Sequence, residues 1–256
     1  MNIHNFDPKN VLLEGTFAEY ERGMDFFYLE QLVPLNLNIY YVEQIIQFPF
    51  GLFTVPEEVT FFRTVVHNFI DVGLLIITRV ATDQKKGYTL LRFKNRVRDL
   101  IKPEFTDLFD QRMKEIRFDA KTRGIFKKAT DLRDERIAHL SEAYVIGTST
   151  IDPVDFSDLK ILRDTLNSLL DALSFNVERA MLPIEYDPRV QHPVGIKHTT
   201  DIEKILDSVA QNNPLLKMPE EHPTHWTYQK NRLSDEEFIL LNRYRKKYGL
   251  PEVSRL

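Results

Sequence analysis

The stretch that decides the fold reads Phe61-Phe-Arg-Thr-Val-Val-His-Asn-Phe-Ile-Asp-Val-Gly-Leu-Leu-Ile-Ile77. It carries apolar residues on nearly every side of a helix, which is typical of a protein core or of a membrane span. The run from Phe69 to Ile77 is interrupted by Asp71 and is shorter than the roughly 20 residues that cross a bilayer. The stretch therefore predicts a central, buried helix outside any membrane, which begins at Thr54-Val-Pro56 and ends near Ala81.

Further helical patterns lie on both sides of this stretch. Apolar residues recur in them at helical spacing, and residues that favour N-caps stand where several of the patterns begin. The predicted segments are Asp7–Leu32, which Pro34 interrupts, Asn36–Phe48, Tyr88–Ile101, Glu104–Phe118, Asp119–Leu140, Asp152–Met181, Thr200–Ala210 and, after a capping box at Ser234, Phe238–Tyr248. Residues Asn213–Asn231 lack such a pattern and are predicted to be irregular.

The chain contains no convincing strand, so the predicted fold is all-α. An antiparallel bundle of about four or five long helices is the natural architecture for segments of these lengths. Pro188, Pro193 and Gly195 indicate a boundary after the last long helix. We therefore predict a helical bundle over residues 1–185, followed by a linker and a C-terminal helical extension over residues 186–256.

The composition restricts the classes of function. A net charge of −4 and a pI near 6.0 exclude a strongly basic coat for nucleic acids, so any contact with RNA must use a local patch. The chain has no cysteine, which excludes disulfides, thiolate metal sites and a cysteine nucleophile. The N-terminus lacks the basic region and apolar run of a signal peptide. A soluble, cytoplasmic protein is therefore expected.

One local basic patch is available on the predicted helix Tyr88–Ile101. Arg92, Lys94, Arg96 and Arg98 share its polar side. These side chains could bind phosphates, but a solvated helix face is the favoured interpretation.

The histidines indicate no metal site. His67 lies in the apolar stretch, where a buried, hydrogen-bonded core histidine is the favoured interpretation over a functional one. His222 and His225, with Glu220 or Glu221, could ligate zinc, but no further ligand is evident nearby. The chain also lacks a His-Glu-x-x-His pattern and a carboxylate-rich calcium loop. We therefore predict neither a metal nor a cofactor.

The strongest candidate for chemistry is Asp131-Leu-Arg-Asp-Glu-Arg-Ile-Ala-His-Leu140. An arginine does not lose its proton and a histidine ordinarily titrates near neutrality, so a pair such as Arg133 and His139 suits acid–base work on a phosphodiester. The two residues are six positions apart, so on a regular helix they point about 120° away from each other. We therefore expect a bend or a helix end near Ala138, or a pair that is completed across a subunit interface.

Other polar residues of the stretch could support this pair. Arg136 lies one turn before His139, and Glu135, four residues before it, could hold the imidazole ring by a hydrogen bond. Asp131 and Asp134 could pin the arginines. From the spacing alone, a surface helix with charge pairs is the favoured interpretation, with His139 paired to Glu135.

The segment Leu132–Leu140 resembles the signature of HEPN domains, in which an Arg is followed by a polar residue and then by a His. It is most similar to the AbiU2-like subgroup, whose Arg-Asp-Lys-x-x-Ala-His pattern it copies with Glu135 at the Lys position. Ile77–Asp83, followed by Tyr88-Thr-Leu-Leu91, also resembles that subgroup. The resemblance covers roughly residues 10–185, and the C-terminal region after it resembles no family.

The resemblance implies a helical, metal-independent endoribonuclease that acts as a homodimer, often as a toxin or a phage-defence effector. By this resemblance, His139 would accept the proton of the ribose 2′-hydroxyl or donate a proton to the leaving oxygen. Arg133 would stabilise the negative charge that builds up on the phosphate. Asp134 would orient one of them, and Arg136 and Glu135 would contribute to binding. The implied partners are RNA, a second copy of the chain and an antitoxin or other protein. The implied products carry a 2′,3′-cyclic phosphate and a 5′-hydroxyl.

Two departures from the family pattern support an alternative. Asp134 is acidic where Asn is frequent in active members, and a Tyr that follows the His in some toxins is absent. The alternative is a non-catalytic HEPN-like module that binds nucleotides, RNA or a protein. A zinc-dependent enzyme that uses His222 and His225 is a third hypothesis.

Overall fold

The computed structural model describes residues 3–53, 59–81, 87–116, 119–138, 153–177, 179 and 200–254. Within these ranges the chain is helical and no segment forms a strand. An isolated antiparallel bridge joins Leu12 to Ile101. The predicted all-α fold is confirmed.

The helices follow one another with short connections. The α-helices are α1 Pro8–Val11, α2 Phe17–Asp25, α3 Val33–Gln47, α4 Phe50–Phe53, α5 Thr60–Ala81, α6 Leu90–Leu100, α7 Thr106–Glu115, α8 Ala120–Leu132, α9 Phe156–Leu173, α10 Asp201–Gln211, α11 Pro214–Glu221, α12 Pro223–Gln229 and α13 Asp235–Lys247. Two π-helical segments are Phe26–Leu32, between α2 and α3, and Arg133–Ala138, directly after α8. Single 3-10 turns are formed by Ile3–Asn5 and Pro103–Phe105.

The chain forms two compact units, of which the first comprises Met1–Tyr40 and His67–Gln191. Its apolar core draws side chains from α2, α3, α5, α6, α8 and α9. α9 contributes a regular stripe of leucines, so the core side of this helix has the predicted 3.6-residue period. Asn36 and Asn167 exchange side-chain hydrogen bonds of 3.1 and 2.8 Å within the unit and so satisfy each other's amides.

The second unit comprises Tyr41–Val66 and His192–Leu256 and has a core of its own around Trp226. Thr200 and Ser234 each form a capping box with the glutamate three residues later. Such a box satisfies backbone N–H groups that the first helical turn leaves without partners. The helix starts predicted at these two residues are confirmed.

Two predicted segments differ from the structure. Asn213–Asn231, predicted to be irregular, contains α11 and α12, and each of these begins with a proline in its first turn. The helix predicted over Asp152–Met181 is shorter, because Asp155 caps it and Ser174 ends it. The division of the chain near residue 185 stays a prediction, since residues 180–199 lie outside the described ranges.

α5 is less buried than its composition predicts. Only 33% of its most apolar window is buried, and His67 is exposed, so the prediction of a buried core histidine is wrong. Among the described residues, α5 is the one helix that is long and apolar enough to cross a membrane. Core helices of soluble proteins meet the same criteria of length and composition, so a single such helix is weak evidence for a span.

Pro34 does not end the helical run, contrary to the prediction. Proline lacks the N–H that would bond to the carbonyl four residues earlier, and its ring clashes with that carbonyl in a regular helix. The π-helical segment Phe26–Leu32 ends directly before Val33, whose N–H reaches back to the carbonyl of Tyr28. The wider turn changes the hydrogen-bond register ahead of the proline, and the run continues as α3.

Candidate active site

The helix that carries the motif changes its geometry at the motif. Asp119 caps α8, since its carboxylate accepts a 2.6 Å hydrogen bond from the Thr122 N–H, and the helix ends at Leu132. The backbone then continues as a π-helix from Arg133 to Ala138. Single π-helical turns are rare and occur frequently at functional sites. The sequence predicts a bend or an end near Ala138, whereas the structure departs from the regular helix already at Arg133.

Arg133 is oriented by its neighbour Asp134. Its Nε donates to Oδ1 of Asp134 at 2.7 Å, and its Nη2 lies 2.5 Å from the same oxygen. The arginine side chain is only 13% exposed, whereas that of Asp134 is 48% exposed. A guanidinium has five N–H donors, so this pairing leaves donors for an anionic ligand. The predicted pinning of an arginine by Asp134 is therefore present in the structure.

Arg136 turns to a different helix. Its Nη2 donates to Oδ1 of Asp71 at 2.7 Å, and both side chains are half-buried. Asp71 lies in the middle of α5, so this ion pair ties the π-helical turn to that helix. Asp131, the other predicted partner of an arginine, makes no ion pair with the residues that the structure describes.

The predicted general acid–base residue, His139, lies outside the described residues. Glu135 lies in the π-helical turn and is half-buried. The predicted pairing of Glu135 with His139, and the approach of His139 to Arg133, stay predictions.

The described part of the motif suits the binding of an anion. Arg133 and Arg136 lie within one turn, each is held by one carboxylate, and each keeps further N–H donors. Arginine matches the geometry of phosphate, but it does not give up its proton at ordinary pH. These two side chains can therefore bind and stabilise a phosphodiester, and a reaction on it would need a separate titrating group such as the imidazole of His139.

Two of the four basic residues on the polar face of α6 are paired with carboxylates. Arg96 forms two hydrogen bonds with Glu19 at 2.5 and 2.9 Å, and Arg98 forms two with Asp110 at 2.7 Å each. The guanidinium beside each carboxyl lowers the pKa of Glu19 and of Asp110. This pairing favours the predicted solvated face over a phosphate-binding patch.

The residues of the zinc hypothesis have other roles in the described structure. Glu220 is bound by the guanidinium of the buried Arg245. The rings of His222 and His225 lie 6.2 Å apart and are exposed. Among the described residues, no three His, Cys, Asp or Glu side chains are grouped so that they could hold a metal.

Asp71 is the site residue that sequence reasoning missed. The sequence shows it only as an interruption of an apolar stretch, and its partner lies 65 residues away. A carboxylate in an otherwise apolar helix is a signal in itself, because charged side chains in such surroundings are usually paired. The sequence does not reveal which cation is the partner.

The helical fold and the Arg-Asp-Glu-Arg segment of the motif agree with the resemblance to HEPN domains. The model of the HEPN AbiU2 family matches residues 52–190, which is more than half of the chain, and the chain belongs to this family. The match includes α5, the motif and α9. No curated protein and no solved structure matches the chain.

Proposed function

We propose that the protein is a metal-independent endoribonuclease of HEPN type, acting in the cytoplasm as a toxin or phage-defence effector. Membership of the AbiU2 family supports the HEPN assignment. The observation that carries the proposal is the guanidinium of Arg133, largely buried and oriented by Asp134 at the start of a π-helical turn. An antitoxin that restrains the enzyme is proposed on the family resemblance alone.

In the proposed reaction, the ribose 2′-oxygen attacks the adjacent phosphorus while His139 accepts the proton of that hydroxyl. The bond from phosphorus to the 5′-oxygen breaks, and the leaving oxygen takes up a proton. The products are a 2′,3′-cyclic phosphate and a 5′-hydroxyl, so no co-reactant is consumed. Arg133 stabilises the negative charge that grows on the phosphate oxygens, and Asp134 keeps its guanidinium in place.

The test is RNA cleavage by the purified protein in EDTA. His139→Ala should lower the rate by about 10²–10⁴-fold, since positioned proton transfer contributes that much. Arg133→Ala should lower it by about 10²–10³-fold, the effect of removing one donor that stabilises charge in a transition state. Cleavage that survives His139→Ala would contradict the proposed chemistry.

A matched control for Arg133 is available on α9. Arg163 pairs with its neighbour Asp164 through Nε and Oδ1 at 2.8 Å, and its side chain is 16% exposed. This pair reproduces the contact of Arg133 with Asp134 on a regular helix that is not part of the motif. Arg163→Ala should leave cleavage unchanged, so an equal loss in both variants would indicate a general effect on folding.

The pairing of Arg133 with Asp134 also supports a second candidate, a non-catalytic module that binds nucleotides, RNA or a protein. The carboxylate partly neutralises the guanidinium and places a negative charge where a phosphate would approach. Asp134→Asn separates the two candidates, because it removes that charge and keeps a hydrogen-bond acceptor. In the ribonuclease, cleavage should persist in this variant or increase. In the binding module, RNA affinity should increase without any cleavage in the variant or in the wild type.

The enzyme is further proposed to act as a homodimer that pairs through α5. Within the first unit, the exposed positions of this helix include Asn68, Val72, Leu75 and Arg79, at intervals of four, three and four residues. Helices that pair side by side repeat their contact residues at this spacing. Val72 and Leu75 are 42% and 38% exposed, so two apolar side chains at the centre of this face lack a cover.

The motif lies beside the proposed pairing face. Asp71 directly precedes Val72 on α5, and it holds Arg136 of the π-helical turn. A second copy that packs on Val72 and Leu75 would therefore bring its own motif close to the first. This arrangement is consistent with the sequence-based expectation that the catalytic pair is completed across a subunit interface.

A further inference from the structure

A groove of about 670 Å³ lies on the first unit, apart from the residues of the motif. This volume is within the range of pockets that hold small molecules, roughly 300–1,000 Å³. The groove is formed by α2, by the start of the π-helical segment after it and by the residues just before α6. Its lining consists of Ala18, Glu19, Arg22, Gly23, Phe26 and Tyr88. All of these except Tyr88 precede the region that the family model matches.

The apolar part of the groove is aromatic. Tyr88 is 54% exposed, although its ring is stacked on that of Phe27 with the centroids 5.8 Å apart. Phe26, also exposed, packs edge-on against Phe27 at 5.2 Å. The ring of Tyr88 is supported from the core side and accessible from solvent, so a planar ligand can stack on it, whereas the steeply inclined ring of Phe26 forms a wall of the groove.

The carboxylate of Glu19 supplies hydrogen-bond acceptors to the same groove. Arg96 holds both of its oxygens, and this pairing lowers the pKa of Glu19, so the group is ionised at neutral pH. Each carboxylate oxygen has a second acceptor position, which remains for the N–H groups of a ligand. Burial raises the pKa of the Tyr88 hydroxyl, and the charge of Glu19, which lines the same groove, acts in the same direction.

A cation completes the lining. Arg22 lies one helical turn after Ala18 on α2 and is exposed. Among the described residues, no carboxylate is paired with its guanidinium. An arginine without an anionic partner at the edge of an aromatic pocket is suited to a phosphate group.

We infer that this groove binds a purine nucleotide, with the base stacked on Tyr88, its N–H groups donating to Glu19 and its phosphate held by Arg22. A purine is favoured over a pyrimidine because its larger ring system overlaps more of the Tyr88 ring. The nucleotide is either free or part of an RNA strand, since the chemistry recognised is the same. The inference concerns binding alone and is independent of the proposed cleavage.

The test measures the binding of GMP, AMP, UMP and guanosine to the full chain by calorimetry. GMP and AMP should bind more tightly than UMP. Tyr88→Ala should weaken the binding of GMP about tenfold or more, the effect of removing one stacking partner of a base, whereas Tyr88→Phe should retain it. Arg22→Gln should weaken the binding of GMP but not that of guanosine, which lacks the phosphate.

The control is Tyr228→Ala on α12. Tyr228 is an exposed aromatic residue with the guanidinium of Arg232 over its ring at 4.3 Å, so it offers the same two chemical groups outside a pocket. This variant should bind GMP as the wild type does. Thermal melting of every variant separates a loss of binding from a loss of folding.

A second arm distinguishes the source of the nucleotide. Short single-stranded RNA oligonucleotides, purine or pyrimidine in sequence, are titrated against His139→Ala protein with and without Tyr88→Ala. If Tyr88→Ala weakens the binding of the oligonucleotides alone, the groove is a subsite for RNA. If it weakens the binding of the mononucleotides, the groove is a site for a free nucleotide. If Tyr88→Ala changes neither, or if purines are not preferred, the inference is overturned. The cleavage test with His139→Ala and Arg133→Ala stands in either case.

Discussion

At the scale of single residues, Gly23 determines how closely α2 approaches α6. A Cβ atom at this position would lie 2.2 Å from Cε2 of Phe93, far closer than non-bonded carbon atoms approach each other. Phe93 is fully buried and its ring packs against that of Phe27 at 5.3 Å, so it has little room to move. The absence of a side chain at Gly23 is therefore required for the packing of these two helices.

Gly23→Ala should lower the free energy of unfolding by about 1–3 kcal/mol. The added methyl group overpacks the core, and this cost is larger than the gain in helix propensity. Urea denaturation followed by circular dichroism measures this change. Gly124→Ala is the matched control, since Gly124 is an exposed position in α8 where an added methyl group would meet no atom within 4 Å. This control should raise the stability by about 0.5–1 kcal/mol. A stabilising effect of Gly23→Ala would mean that α2 and α6 pack less tightly.

The contacts of the motif could be predicted from the sequence only where the two partners are neighbours in the chain. Arg133 and Asp134 are neighbours, so their contact could be expected from the sequence alone. The partner of Arg136 is Asp71, on a helix distant along the chain, and no local pattern predicts that pair. Local spacing also gave no sign that a π-helical turn would begin at Arg133, because that turn depends on how the backbone packs.

At the scale of helices, Arg245 joins three elements of the second unit. This residue of α13 is fully buried and donates to the Leu216 carbonyl and the Glu220 carboxylate of α11. Its Nε donates to the carbonyl of Pro251 in the C-terminal segment at 2.8 Å. A buried guanidinium is stable only when its donors are satisfied, so these contacts fix the positions of α11, α13 and the C-terminal segment together.

The pair of Glu220 and Arg245 should make the second unit sensitive to acid. The hydrogen bond from Arg245 lowers the pKa of Glu220 from its ordinary value of 4.5. Because the folded-state pKa lies below the unfolded one, the pair stabilises the fold above pH 4.5, and this contribution is lost as the pH falls through the lowered pKa. The fluorescence of Trp226, the single tryptophan of the chain, reports urea unfolding of this unit at each pH.

Glu220→Gln should reduce this dependence on pH between about 6 and 3, because the variant cannot take up the proton. Glu221→Gln changes an exposed neighbour and is the control, which should keep the dependence of the wild type. Equal curves for Glu220→Gln and the wild type would show that other carboxyl groups cause the acid sensitivity.

At the scale of the whole molecule, helix content was predictable and the exposure of one helix was not. The leucine stripe of α9, the N-cap at Thr200 and the capping box at Ser234 are local patterns, and each occurs in the structure as expected. The burial of α5 is different in kind. The composition of α5 indicates that its apolar side chains favour burial. It does not indicate whether the same chain or another copy buries them.

The proposed pairing through α5 predicts a mass in solution of twice the 30.2 kDa of one chain. Val72→Glu together with Leu75→Glu should convert the dimer into a monomer, because two buried carboxylates would face their own copies across the interface. Size-exclusion chromatography with light scattering measures the mass. Ile239→Glu introduces the same charge at an exposed apolar residue of the second unit and should leave the mass unchanged. A monomeric wild type would contradict the proposal.

If two copies pair as proposed, the ion pair between Arg136 and Asp71 links the activity of the protein to its abundance in the cell. It anchors the motif next to the face through which two copies would meet. If each copy needs the other to complete its reactive groove, the protein is inactive when dilute. The rate of RNA cleavage then rises with the square of the protein concentration for as long as most chains are monomers. Dosage would then act as a threshold: a few molecules would be harmless to their host, and a modest surge in synthesis would be enough to begin destroying transcripts.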